Sequence, residues 1–229
     1  MSDSPPGKTT VAGLLRDAGT TYSGELGLDL AKNTPSPLFR WLCASLLLSA
    51  RISAGLAMNA ADALAKAGWT TPEKMAAASW EARTRVLNQA GYARYDESTS
   101  RRLADTSQTL LDSYGGDLRK LRAKADKDPK RERELLKEFK GIGDTGADIF
   151  CREVQIAWSE LYPFVDEKAL RSARKLGLAS TAEEVAGLVP GKDLPRLLAA
   201  QVAPYRNGPG ACARAGNEGK RRAPQAQAA

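Results

Sequence analysis

The sequence predicts an all-α protein, on three observations. Apolar residues recur at helical spacing from one end to the other, alternating β-branched runs of strand length are nearly missing, and capping residues and glycine stops bracket one segment after another. In chain order, Ser36-Pro37 can cap and open a helix whose body, LFRWLCASLLLSA, is apolar on almost every side. That pattern belongs to a helix at the centre of a bundle, and it is too short to cross a bilayer. AGLAMNAADALAKAG follows and stops at Gly68, Thr71-Pro72 opens a short helix, and Ser79 opens another that stops before Gly91. Leu103, Ser107, Leu110, Leu111 and Tyr114 lie on one stripe of a helix that Ser98 or Thr99 can cap and Gly115-Gly116 ends. Residues 123–138, AKADKDPKRERELLKE, mix both charge signs so densely that they read as a solvated linker and charged helix face. After Gly141-Ile142-Gly143 a helix opens at Asp144, and Ala147, Phe150, Cys151, Val154 and Trp158 fall at i, i+3, i+4, i+7 and i+11, which makes Cys151 core. DEKALRSARKLGL stops at Gly177, Thr181 and Glu184 form a capping box, and LPRLLAAQV is a last helix. From Pro204 apolar content is lost, so residues 204–229 read as a flexible basic tail.

Composition removes several kinds of chemistry. The chain has 229 residues and no histidine, which excludes serine–histidine triads, histidine bases and histidine metal sites. Its cysteines number 3, at positions 43, 151 and 212, far apart and without a CxxC pair, so neither a disulfide framework nor a thiolate metal site is expected. Acid–base work falls to carboxylates, lysines and tyrosines. Lys and Arg total 34 against 27 acids, a net charge of +7 and a pI near 9.4, which favours a polyanionic partner. The first residues lack a signal-peptide core and no run is long enough for a membrane span, so a soluble intracellular protein, cytoplasmic and without cofactor or metal, is expected.

The segment with most chemical content is FKGIGDTGADIF at residues 139–150. Gly141 and Gly143 around Ile142 make a tight hairpin between two helices, and the amides of Gly143, Asp144 and Thr145 at the helix start suit an anion such as a phosphate. The carboxylate of Asp144 argues mildly against that, and an ordinary glycine turn is the competing account.

With that hairpin, the chain resembles the helix-hairpin-helix DNA glycosylases of the endonuclease III superfamily, over roughly residues 35–180. Their hairpin reads approximately LPGVGxKTA, here FKGIGDTGA, and a VD motif follows, here Phe164-Val165-Asp166 before ALRSARKLGL, at a spacing from Gly143 that fits the family. PLFRWLCASLLLSAR is similar to the family's central helix ending in LLSAQ, and QAGYARYDESTSRRLADTSQTLLDSYGGDL to its GYY…K…L…YGG segment. The resemblance implies two helical lobes with a DNA-binding cleft between them: residues 1–34 packing with the second lobe, 35–143 as a six-helix lobe, and 144–203 as the second lobe. It implies double-stranded DNA carrying a lesion or mismatch as partner, no membrane, and hydrolytic removal of a flipped base.

By the same resemblance Asp166 is the catalytic aspartate; an N-cap for the following helix is the competing account, and both can hold. Gly141, Ile142, Gly143, Asp144, Thr145 and Gly146 would form the DNA-binding hairpin, with Lys140 and Lys168 nearby. Thr145 stands where bifunctional members carry a Schiff-base lysine, so strand cleavage by that route is not expected. VDEK replaces the usual VDTH, putting Glu167 and Lys168 beside Asp166, and the four-cysteine iron–sulfur motif is missing. Arg51 stands where the family often has glutamine. It reads either as the residue that fills the gap left by a flipped base or as a surface arginine. Two alternatives stay open: a lesion-binding protein with impaired catalysis, and a glycosylase with lyase activity through another lysine.

Overall fold

The structure is a computed structural model and describes residues 10–203; residues 1–9 and the tail expected at 204–229 lie outside the described residues. Among the described residues there is no strand. The helices are α1 (Val11–Ala18), α2 (Tyr22–Glu25), α3 (Pro35–Leu48), α4 (Ala54–Lys66), α5 (Pro72–Ala77), α6 (Trp80–Gln89), α7 (Asp96–Tyr114), α8 (Leu118–Lys124), α9 (Pro129–Lys137), α10 (Asp144–Val154), α11 (Glu167–Lys175), α12 (Ala182–Ala186) and α13 (Leu194–Val202). The all-α expectation holds.

α3 forms the centre of the larger core. Leu38, Trp41, Leu42, Ala44 and Leu47 are at 0% exposure, and the helix packs on α4, α8 and α10, while α5 and α6 pack on α7. A helix that is apolar all round is stable only where neighbours cover every face. The smaller core joins α11, α12 and α13 through Ala169, Ala173, Val185, Leu194, Leu197 and Leu198, and α1 closes it with Val11, Leu14 and Leu15. The cores do not part at residues 34 and 143. Tyr22, Leu28 and Leu30 enter the larger core, and so do Ala147, Phe150, Cys151 and Val154, because the apolar stripe of α10 faces α3. The division falls near Val165.

The local signals act as their chemistry requires at most boundaries. Thr71 and Ser79 cap α5 and α6, Gly115 at φ +55° ends α7, and Thr181 and Glu184 form a complete capping box on α12. Three boundaries differ from the sequence reading. α3 starts at Pro35, and the Ser36 hydroxyl donates to the Thr70 carbonyl at 2.9 Å rather than capping. α7 starts at Asp96, leaving Thr99 and Ser100 buried inside it, where the Arg83 Nε donates to the Ser100 carbonyl at 3.1 Å. A buried arginine from α6 thus makes polar residues the right filling for that helix face.

The charged stretch is the third difference. Asp128 caps α9 through the Arg131 amide, and Glu132, Leu135 and Leu136 are buried rather than solvated. Arg122 lies over the Trp158 ring at 5.8 Å and forms a two-point ion pair with Glu160. Burial first, and the neighbouring Glu160 second, push the Glu132 carboxyl up to about 8. Against the opposing push of burial, the hydrogen bonds from Arg122 hold Glu160 down to about 2.

The Glu132 shift sets a pH dependence of stability. The unfolded chain gives up this proton near the ordinary value of 4.5 and the folded chain only near 8, so the contribution is full below pH 4.5 and lost as pH rises through 8. Glu132→Gln should therefore become progressively more stable than the wild type across that window in denaturant unfolding. A stability difference that stays constant with pH would remove this assignment.

Candidate functional site

The hairpin between α9 and α10 is built on two glycines with different reasons. Gly141 sits at φ +100°, and a Cβ there would lie 2.8 Å from the Arg102 Cδ and 3.3 Å from the Leu46 Cδ1, so conformation and space both exclude a side chain. Ile142 is buried and packs its side chain on Gly146, which fixes the tip of the turn. Gly143 caps α10 at φ −99°, a conformation open to any residue, and a Cβ there would meet nothing within 4 Å. What its glycine leaves open is the approach to the first amides of α10, which have no partner within the helix.

The carboxylate of Asp144 is compensated. Lys137 Nζ reaches it at 3.3 Å and Arg133 Nη2 at 3.0 Å, and the Lys137 hydrogen bond and charge, then those of Arg133, hold its carboxyl below the usual range. The acid that seemed to oppose an anion is drawn towards α9. Lys140 is likewise paired, with Asp105 at 2.9 Å.

Beside the hairpin a cleft of about 660 Å³ opens between the α3–α4 loop, α10, α11 and the end of α13. It gathers Arg51 and Ile52 from the loop, Thr145, Ile149 and Arg152 from α10, and Lys168 from α11. Thr145, Ile149 and Arg152 are spaced i, i+4 and i+7, one face of the helix. Among the described residues cationic side chains line this cleft and no acidic one does. Gly141, Ile142, Gly143, Asp144, Gly146 and Lys140 line a neighbouring hollow of about 630 Å³, which shares Thr145 with the cleft.

Asp166 is absent from both linings. It caps α11 with Oδ1, which accepts from the amides of Lys168 at 3.0 Å and Ala169 at 3.3 Å. Its Oδ2 accepts from Arg152 Nε at 2.6 Å, and the two side chains are 3% and 4% exposed. Arg152 lines the cleft and covers the carboxylate from that side.

Arg152 was not among the residues singled out from the sequence. The signal was available: Cys151-Arg152-Glu153-Val154 carries two charges where the helix is otherwise buried, and buried charges require partners. Glu153 takes the amides of Tyr22 at 3.0 Å and Ser23 at 2.9 Å, and burial pushes its carboxyl up. Among the described residues no cluster of histidine, cysteine and carboxylate side chains is arranged for a metal, and the thiols of Cys43 and Cys151 are buried and pushed up by burial.

No protein-family model matches the chain, and no curated protein does. Among solved structures, a non-covalent endonuclease III–DNA complex is similar over 85% of this chain and 81% of that one, at 17% identity and a TM-score of 0.49. A trapped endonuclease III–DNA covalent intermediate, an estranged-adenine complex, is similar over 70% of each chain, at 18% identity and a TM-score of 0.45.

The buried pair predicts a non-additive cycle. Arg152→Met and Asp166→Asn each strand a charge out of water, at a cost of about 3–5 kcal/mol. Asparagine still caps a helix, so the loss in Asp166→Asn reports the pair and not the cap. The double variant should recover much of the sum in urea unfolding. Single variants costing under about 1 kcal/mol each, with an additive double, would show that the pair is energetically idle.

Proposed function

We propose that this chain is a DNA N-glycosylase of base excision repair that flips a damaged or mismatched base into the cleft and removes it by hydrolysis. The observation that carries the proposal is a cleft lined by the cations of Arg51 and Lys168, with Arg152 paired to Asp166 and, among the described residues, no acidic side chain in the lining, next to a hairpin whose amides are open. Such a surface attracts a polyanion, and helix-start amides take a phosphate oxygen without reading sequence. Thr145 belongs to both linings, so a strand gripped by the hairpin would present its sugar near the mouth of the cleft. The hairpin and VD motifs supply the rest of the support.

In this reading the Asp166 carboxylate offsets the positive charge that develops on the sugar as the N-glycosidic bond breaks, and orients water. Thr145 cannot form an imine, so the reaction stops at base removal. A lyase variant would have to draw on Lys168, which faces the cleft, since Lys140 lies outside it and is paired with Asp105. Arg51 lies on the cleft rim where it can fill the gap left by the flipped base. The protein acts as a monomer on nucleoid or cytoplasmic DNA. One observation favours a second reading, a lesion-binding protein with impaired catalysis: both oxygens of Asp166 are already engaged, one of them by Arg152.

Base release from a panel of damaged and mismatched duplexes, read by mass spectrometry, separates the readings. The glycosylase reading expects a free base from at least one duplex, and lesion-dependent binding without any release leaves the second. Gly143→Val should fold normally, since its Cβ enters open space, yet weaken binding to lesion and intact duplexes alike; a loss confined to one lesion would contradict a phosphate role. Thr145→Lys would put an amine at the shared rim, where borohydride should trap a covalent complex with abasic duplex that the wild type does not form. A variant that folds, binds DNA and never traps would place residue 145 away from the sugar.

A further inference from the structure

The hairpin has a component that comes from α7, 40 residues upstream by count from Arg102 to Ile142. The stem of Arg102 lies against Gly141, with Cδ and Cγ at 2.8 Å and 3.3 Å from where a Cβ would be, so the positive-φ glycine doubles as the seat for this side chain. Thr106, one turn further along α7, donates its hydroxyl to the Lys140 carbonyl at 3.3 Å and fixes the register of the two elements. Arg102 is exposed and lines the hairpin hollow.

The ion pairs around this hollow single out the same residue. Lys137 and Arg133 are held by Asp144, and Lys140 by Asp105. Arg101, next to Arg102, pairs with Glu97 at 3.6 Å. Among the described residues Arg102 has no carboxylate within ion-pair distance, and its planar fork suits two oxygens of one phosphate.

We infer that Arg102 is the side-chain half of the hairpin's grip on nucleic acid, a guanidinium seated on Gly141 that takes a backbone phosphodiester of the DNA strand held by the α10 amides. This rests on the DNA-binding part of the proposed function. It gives Gly141 and Gly143 separate tasks: the first admits the arginine and the second admits the strand.

The test measures the affinity of the full chain for an intact duplex and for the same duplex with one tetrahydrofuran abasic analogue, across a salt series. Arg102→Gln keeps the Cβ–Cγ–Cδ stem that sits on Gly141 and a hydrogen-bond donor while removing the charge, and should lower the salt slope by about 0.9 on both duplexes. Its affinity should fall roughly tenfold to a hundredfold. Arg102→Lys should restore the slope but not the whole affinity, because a point charge cannot chelate. Thermal unfolding should match the wild type for both variants. An unchanged slope in Arg102→Gln, or a loss confined to the abasic duplex, would overturn the inference while wild-type binding stands. Salt-independent or absent wild-type binding would overturn the DNA reading itself, before any variant is compared.

Discussion

The ion pair between Arg152 and Asp166 is the contact on which the arrangement of this molecule depends. It joins the cleft face of α10, in the larger core, to the N-terminus of α11, in the smaller one, at 2.6 Å and almost without solvent. Its neighbours on α10 repeat the principle with other segments. Glu153 holds the start of α2, and Gln155 donates to the Phe164 carbonyl and accepts from its amide, both at 3.0 Å. One helix thereby ties down the N-terminal segment, the VD loop and the second core. Buried polar groups of this kind add little net stability over apolar ones of the same shape, but each strongly disfavours any arrangement that leaves its partner unpaired. They specify where the segments sit more than how firmly.

The sequence made the elements legible wherever the deciding chemistry is local. Thr71, Ser79, Thr181 and Glu184 act within one helical turn, and the stripe from Ala147 to Val154 is a property of one helix. It failed where a distant partner decides. Ser98 and Thr99 looked like caps because nothing local announces that Arg83 enters from α6 to use the polar face of α7. The charges of residues 123–138 looked solvated because nothing in the stretch itself announces that Glu132 is buried, with Leu135 and Leu136, beside Arg122 of the preceding helix and Glu160 beyond α10. The cores divide near Val165 and not at the hairpin for a similar reason: the apolar face of α10 turns back onto α3, which nothing in the hairpin motif announces.

The candidate site divides in the same way. The hairpin glycines, Thr145, Arg51 and Lys168 could be named from motif spacing, and the last three do line one cleft. Arg152 was marked only by its charge in a buried stripe and Arg102 by nothing local, since each matters through a residue on another element, Asp166 in one case and Gly141 in the other. Asp144 was read as opposing an anion at this helix start, and its carboxylate is paired from α9 by Arg133 and Lys137. A conflict visible in a short motif is thus a reason to look for a compensating charge on the element packed against it.

The consequence for chemistry lies with Arg152 rather than with the aspartate. A carboxylate held by two amides and a guanidinium is rigid and desolvated, as a group that must offset a sugar cation should be, but joined to Arg152 it presents a neutral pair to the cleft. Its field at a reacting sugar therefore depends on where the guanidinium sits. With Arg152 on the cleft side, the neutral pair adds little net charge, so the pull of the cleft on a polyanion falls to Arg51 and Lys168, and the pair does little for an oxocarbenium-like centre. The contact that orders the carboxylate is thus the same one that offsets its charge.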